Sequence, residues 1–240
     1  MGLHLERNKN KNFLLTIIYR LSKLLFMISS KKRLSLYLNL EWIFDRLAHE
    51  ESFKNFHYDK HPLRVYSLKF IQKQISPLDN VLDLGCNLGE ISNKIAEFSN
   101  QVVGVDYNND LITKANSRYN KSNLRFICSD AFYYLEKTSE KFDVIILSHI
   151  LEHIENPKEF LEKCIPYTKK IFIELPDYDK TYLNYYRAAI KNELNYSDVD
   201  HIWEFDREEL FLLINDVGLK VIDSEFKYGV IKIWCEKISL

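Results

Sequence analysis

From residue 80 onward, short apolar runs and helix-forming stretches alternate at nearly even intervals, and this cadence constrains the fold more than any other feature of the chain. The runs are "NVLDLG", "QVVGVD", "LRFICSD", "FDVIILS" and "KIFIELP", separated by helical stretches at 88–98, 108–118, 131–137 and 156–164. Strand, helix, strand in that order demands crossover connections, and so a parallel sheet with helices on both faces. The tail, "REELFLLINDVGLKVIDSEFKYGVIKIWCEK", breaks the cadence. It reads as helix, strand, tight turn at Tyr228-Gly229 and strand, so the final pair is expected to be antiparallel.

Residues 1–77 carry a different pattern and are expected to form an N-terminal helical extension to a domain over 78–240. Residues 1–33 hold Arg7, Lys9, Lys11, Arg20, Lys23, Lys31, Lys32 and Arg33 against Glu6 alone. Within them "NFLLTIIYRLSKLLFMISS" is strongly apolar, but Arg20 and Lys23 fall in its middle, which argues against a membrane span and a signal peptide. At helical spacing Leu14, Ile17, Ile18, Leu21, Leu25 and Ile28 share one face, with Thr16, Arg20 and Lys23 opposite. Two roles fit: a helix packed on the domain or on a homodimer partner, or a basic interfacial helix making peripheral membrane contact. Two more helical stretches follow, "LSLYLNLEWIFDRLAHE" and "HPLRVYSLKFIQKQI", the latter with Pro62 suited to a first turn.

A net charge of −1 makes the whole molecule a poor polyanion binder, so no DNA is expected as partner. The four cysteines, Cys86, Cys128, Cys164 and Cys235, are far apart with no C-x-x-C spacing, as expected of free thiols in a reducing cytoplasm. Glycine is scarce, at 6 of 240 residues, so two glycines in one turn carry information.

That turn is "VLDLGCNLGE", residues 81–90. In an open parallel sheet the ligand sits beyond the carboxyl ends of the strands, where the first strand-to-helix turn offers its amides. A dinucleotide turn reads G-x-G-x-x-G. Here Asn87 stands between Gly85 and Gly89, Glu90 occupies the third glycine position, and Asp83 precedes the turn. A carboxylate there repels a diphosphate and suits a ligand with ammonium or sulfonium charge. Asp106 ends the second run, placed to accept ribose hydroxyls, and Asp130 ends the third, placed to hold a purine amino group.

The ordered set "VLDLGCNLGE", "VVGVDYNNDLI", "FICSDAF", "FDVIILSHILEHIENP" and "HIWEFDREELFLLINDVGLKVI" resembles the class I S-adenosylmethionine-dependent methyltransferases over residues 78–238. The resemblance implies an α/β fold with a doubly wound, seven-stranded, mostly parallel sheet, its last strand antiparallel. It implies S-adenosyl-L-methionine as cofactor, leaving as S-adenosyl-L-homocysteine (SAH). Gly85 and its neighbours would lie against the methionine part, Asp106 with Tyr107 against the ribose, and Asp130 with Ala131 against the adenine. Asp83, Asn87, Gly89, Ser148 and Arg64 complete the expected cofactor contacts, Arg64 as a partner for the carboxylate. Asn87 replaces the glycine of many relatives, and asparagine tolerates positive φ well enough to keep the turn.

Methyl transfer from a sulfonium is an in-line displacement that needs an aligned acceptor and, for a hydroxyl, a proton acceptor. His149, Glu152 and His153 follow the fourth strand at i, i+3, i+4, and His201 lies before the last helix. His149, His153 and His201 are the candidate catalytic residues. One reading makes one of them, neutral at pH 7, the general base. A second makes His149, Glu152, His153 and His201 ligands of a divalent metal: small-RNA 2′-O-methyltransferases and ubiquinone-pathway O-methyltransferases carry E-x-x-E-H where this chain has H-x-x-E-H. A third makes the cluster a brace for its loop. The insert at about 177–205 holds Tyr178, Tyr182, Tyr186 and Arg187, expected to form a lid whose aromatic faces suit sugar rings and whose arginine suits a phosphate or carboxylate. The expectation is a small-molecule O-methyltransferase acting on a sugar or sugar phosphate of surface-glycan biosynthesis. Metal-assisted methylation of RNA ribose or a catechol-like ring is the alternative, and a non-catalytic cofactor-binding subunit the rival from another class.

Overall fold

The structure is a computed structural model that describes residues 13–57 and 60–238. Arg7, Lys9 and Lys11, part of the basic stretch noted above, lie outside the described residues.

Seven strands form one sheet: β1 (Asn80–Leu84), β2 (Gln101–Asp106), β3 (Leu124–Cys128), β4 (Val144–Ser148), β5 (Lys170–Pro176), β6 (Leu219–Lys227) and β7 (Val230–Lys237). Their order is β3-β2-β1-β4-β5-β7-β6. The first five are mutually parallel, and β7 slots antiparallel between β5 and β6. The expected sheet is therefore present, with its antiparallel strand last in sequence though not at the edge. Tyr228 (φ 59) and Gly229 (φ 78) make the two-residue β6–β7 hairpin, whose two positive φ values match the twist of the flanking strands. Central strands are apolar on both faces because both faces are covered: Val81, Leu82 and Leu84 of β1 and Val144 to Leu147 of β4 are buried. Leu82, Leu84, Ile145 and Leu147 feed one core, and Val81, Val144 and Ile146 the other.

The helices are α1 (Phe13–Ser22), α2 (Ser30–Asn55), α3 (Pro62–Gln72), α4 (Glu90–Ile95), α5 (Asn109–Arg118), α6 (Ala131–Lys137), α7 (Pro157–Cys164), α8 (Tyr182–Ile190) and α9 (Arg207–Asp216). Caps set several of their starts: Asn108, Asp130, Asn156, Thr181 and Asp206 each accept from an amide in the first turn. The chain reverses strand order between β1 and its two neighbours β2 and β4, and such a switch point opens a crevice at the carboxyl ends of the strands.

The extension differs from one expectation. No residue of α1 is buried, and Phe13, Leu14, Leu15, Ile18, Tyr19 and Leu21 are all exposed, so α1 does not pack on its own domain. A 3-10 turn at Lys23–Met27 and the Ser29 cap redirect the chain into α2, where Tyr37 Oη donates to Ser22 O at the end of α1 (2.8 Å). Among the described residues no helix is long and apolar enough to cross a membrane.

Candidate active site

Two adjoining cavities open over the carboxyl ends of the strands. The lower one, about 520 Å³, lies on the glycine turn after β1; the upper one, about 500 Å³, lies between α2 and the insert that follows β5. Volumes of this size suit small-molecule ligands. They share seven residues, His49, Phe53, Leu63, His149, Asp198, His201 and Val230, so they form one continuous site.

The turn is built from its backbone. Gly85 N and Cys86 N both donate to Val105 O (2.7 and 3.0 Å), tying the turn to β2. Gly85 has φ +71, and a Cβ there would run into the Ile150 side chain. Asn87 keeps the left-handed conformation (φ 49), its Oδ1 accepting from Leu88 N at 2.8 Å, so the turn survives without the usual glycine. Gly89 (φ +74) faces away from the lower cavity, where a Cβ would strike the Phe126 ring at 2.3 Å. The reason for that glycine is close packing.

Asp83 lies on the floor of the lower cavity, 2% exposed, and accepts from Ser92 Oγ. Burial pushes its carboxyl up to about 7, against the Ser92 hydrogen bond and with help from the Asp106 charge. It is thus a floor group half-neutralised by its own burial, where the sequence suggested an open anionic mouth. Asp106 is nearly buried, and its two oxygens accept from Asn87 N and Asn108 N (2.9 Å each). Each oxygen retains a second lone pair for a ligand hydroxyl. Asp130 caps α6 through Tyr133 N (3.0 Å). Asp106, Tyr107, Asp130 and Ala131 lie outside both cavities, farther along the strand ends, whereas Asp83, Gly85, Asn87, Ser148 and Arg64 line the lower one. Arg64 Nη1 donates to Glu90 Oε2 (3.1 Å), and Ser148 Oγ to Glu174 Oε2 (3.1 Å).

The histidine cluster comes together as the sequence suggested, and tertiary contacts do the work. The end of the insert hangs on the carbonyl of Glu152, which accepts from Ile202 N (2.8 Å) and Trp203 N (3.1 Å), while Trp203 Nε1 donates to Ile154 O. This brings the His201 ring to 4.8 Å from His153. Glu152, His153 and His201 offer ligand atoms all within 4.8 Å of one another, and the buried Glu152 Oε2 has no hydrogen-bond partner. The Nδ1 atoms are held from outside, His153 by Asp200 O (3.2 Å) and His201 by Glu204 Oε1 (3.0 Å). Two oriented imidazoles and an unsatisfied carboxylate oxygen fit a divalent cation.

Their charges correct the expectation of a neutral base. Burial pulls the His149 imidazole down, but the hydrogen bond and charge of Glu152 (Nδ1 to Oε1, 3.0 Å), with Glu174 behind, raise it to about 9. The side chain is 47% open to the cavities, so water screens part of that effect; the direction stands. His201 is likewise raised above its ordinary value, Glu204 outweighing burial. At about 9, His149 keeps its proton near neutral pH. Of the imidazoles lining the cavities, His49 is pushed the other way, lowered by burial and by the nearby His149, Lys180 and Arg46 charges despite Asp45. Sequence reasoning missed His49 and Phe53, both supplied by α2, whose residues show almost no segregation of apolar and polar faces that could have flagged them.

The upper cavity corrects the expected substrate contacts. Arg187 is buried and committed within the protein, donating to Leu38 O (2.9 Å), Asn184 Oδ1 (3.0 Å) and Glu41. The other two cations on this wall are also paired, Arg46 with Asp198 (2.6 Å) and Lys180 with Asp45 (3.3 Å). Tyr178 lines the cavity, its hydroxyl on Asn195 (3.0 Å), but Tyr182 and Tyr186 project from α8 into solvent, 70% and 41% exposed. The α8 helix turns its other side to α2, because Arg187 and Asn192 find their partners there.

Residues 75–210 match the family model described as Methyltransferase domain. Over 107 residues the chain is 32% identical to a ubiquinone biosynthesis O-methyltransferase of Coxiella burnetii, covering 43% of this chain and 45% of that one. Over 163 residues it is 28% identical to the mitochondrial ubiquinone biosynthesis O-methyltransferase of Dictyostelium discoideum, covering 59% and 50%. The chain spans about half the length of the curated relatives it matches. Among solved structures it resembles the magnesium protoporphyrin IX methyltransferase of Synechocystis PCC 6803 with bound SAH, at TM-score 0.57 and 14% identity over 80% of this chain and 95% of that one. It also resembles a SAM dependent methyltransferase of Archaeoglobus fulgidus, at TM-score 0.54 and 22% identity over 72% and 92%. With more than half of its length inside the family model and the strand order and glycine turn described above, this chain belongs to the class I S-adenosylmethionine-dependent methyltransferases.

Proposed function

We propose that the protein methylates a hydroxyl on a small planar ring, a phenol or catechol-like acceptor, held in the upper cavity. One observation carries the reading: the cofactor-side and acceptor-side cavities meet at a junction holding three imidazoles, His49, His149 and His201. The lower cavity fits S-adenosylmethionine by its chemistry, since its acidic floor of Asp83 and Glu174 faces where a cationic amino-acid portion would lie. The upper cavity's walls are aromatic, with Trp42, Phe53, Tyr178, Tyr196 and Tyr228, and its two arginines and its lysine are each paired with a carboxylate. Such walls suit a flat ring and leave no arginine or lysine for a phosphate, so the sugar-phosphate and surface-glycan expectation finds no support. The names of the curated relatives described above, O-methyltransferases of ubiquinone biosynthesis, support an oxygen acceptor.

In this mechanism His49 takes the hydroxyl proton while the acceptor oxygen forms its bond to the methyl carbon and the sulfur–methyl bond breaks. His149, as imidazolium, sits beside the junction and favours the phenolate over the phenol. Phe53, Leu63 and Val230 give the junction apolar walls that exclude water. Glu152, His153 and His201 are the residues that would hold a divalent cation, which when bound would act as a Lewis acid toward the acceptor oxygen.

Radiolabelled S-adenosylmethionine offered with catechols, simple phenols, sugars and sugar phosphates tests the assignment. Label is expected on a ring hydroxyl; transfer to a sugar phosphate alone would overturn the acceptor class. Failure to bind SAH by calorimetry would overturn the cofactor reading.

A further inference from the structure

The helix α2 has two faces, and only one of them has work in the site. Toward the domain it presents Trp42, Arg46, His49 and Phe53 to the cavities and buries Leu38. On the opposite face Leu36, Leu40, Ile43 and Leu47 follow one another at spacings of 4, 3 and 4 and are 38%, 41%, 41% and 49% exposed. That spacing is the seam of a helix pair, where each apolar residue needs a partner helix to cover it. The seam has polar ends of opposite sign: exposed Lys31 and Lys32 before it, exposed Glu50 and Glu51 after it.

We propose that a second copy of this chain covers the seam, the two α2 helices lying antiparallel about a two-fold axis at the middle of the stripe. The sequence is self-complementary in that register. Leu36 falls opposite Leu47 of the second copy, Leu40 opposite its Ile43, and Lys32 opposite its Glu51. A parallel pairing would set lysine against lysine and glutamate against glutamate. An isologous contact of this kind repeats every pairing twice, which is how a short stripe becomes a specific dimer. Helix α1 enlarges the contact. Its exposed apolar side chains, with Arg20 and Lys23, stand at the start of α2, and the antiparallel arrangement puts that end beside the half of the second copy's α2 that carries the exposed Glu50 and Glu51. Acids at that end also disfavour an anionic lipid surface as the occupant of the seam.

Sedimentation equilibrium of the full chain at micromolar concentration is expected to give twice the chain mass. Leu40→Glu with Ile43→Glu, both at exposed positions outside the site, should give a monomer with unchanged circular dichroism and a cooperative melt. Lys32→Glu alone and Glu51→Lys alone should each raise the dissociation constant about fivefold, the worth of two exposed ion pairs per dimer, and the two together should restore it. Restoration is the decisive result, since only the antiparallel register joins those positions. A wild-type monomer at 100 micromolar, a dimer untouched by Leu40→Glu with Ile43→Glu, or single and double charge variants that weaken alike would overturn the proposal. So would a monomer that co-sediments with phosphatidylglycerol vesicles through α1, which would make the extension a lipid contact.

Discussion

Replacing Asp83 by asparagine should stabilise the protein at neutral pH while weakening it as an enzyme. The carboxyl is 2% exposed and holds its proton up to about pH 7 against an ordinary 3.8, because burial disfavours the charged form more than the Ser92 hydrogen bond favours it. Below pH 3.8 the group is protonated in both folded and unfolded chains, and its contribution to stability is complete. Between 3.8 and about 7 the unfolded chain has released the proton and the folded chain keeps it. The unfolded state then binds fewer protons, and stability falls as pH rises. At 1.36 kcal/mol per pH unit the whole loss is about 4 kcal/mol by pH 8, an upper figure because nearby water and relaxation soften burial. Asparagine keeps the shape, can accept from Ser92 through Oδ1, and carries no charge to desolvate or to repel Asp106. The stability difference between Asp83→Asn and wild type should therefore grow in the variant's favour by about 3 kcal/mol between pH 5 and pH 8. Urea denaturation at the two pH values measures it directly. The same variant should bind S-adenosylmethionine more weakly, which is why a destabilising acid persists under the turn. A difference that does not change with pH, or a variant less stable at pH 8, would refute the burial argument.

Gly89→Ala should cost about 3 kcal/mol in chemical denaturation, from positive φ and the 2.3 Å approach of a Cβ to Phe126; a loss below about 1 kcal/mol would mean that the turn relaxes freely. His49→Gln should keep SAH affinity but lower kcat by about 10² to 10⁴ and remove the acidic limb of the pH–rate profile, whose midpoint in wild type should lie below the ordinary histidine value; a retained rate and profile would take the base role away from His49. A divalent cation should raise the melting temperature of wild type but not of Glu152→Ala or His201→Ala, since it would satisfy the orphaned Glu152 oxygen; an unmoved wild type would leave that cluster as a brace for the insert.

The sheet was legible because β1 and β4 are covered on both faces and so read as largely apolar runs, while β6 and β7 meet at the Tyr228-Gly229 turn. The glycine turn was legible because Gly85, Asn87 and Gly89 each carry positive φ within five residues. What sequence could not show was partnership at long range. Arg187 looked like a ligand-binding cation, but its partner Glu41 is 146 residues away. His149 looked like a neutral base, and its carboxylate partner Glu152, three residues on, raises it to about 9, while Glu204, three residues after His201, raises that imidazole too. The inward face of α2 was hidden for a different reason: nothing in its own residues tells that it reaches over the ends of strands that come much later in the chain.

The backbone at His149 shows how far the fold goes to hold that junction. Four non-glycine residues have positive φ among those described, and three have local reasons. Asn87 is supported by its own side chain, Lys191 ends α8, and Tyr228 belongs to the hairpin. His149, φ 56, has none of these, and left-handed backbone costs a residue with a Cβ about 1–2 kcal/mol. Its amide donates to Glu174 O (2.7 Å) across the β4–β5 ladder, and the Glu174 carboxylate accepts from Ser148 and Ser67 on either side. That network fixes the end of β4 so firmly that the chain must leave it in the left-handed conformation, with the imidazole at the wall shared by both cavities. An unremarkable loop could have relaxed away from such strain. Its persistence where the two cavities meet is what the proposed meeting of methyl donor and acceptor beside His149 calls for.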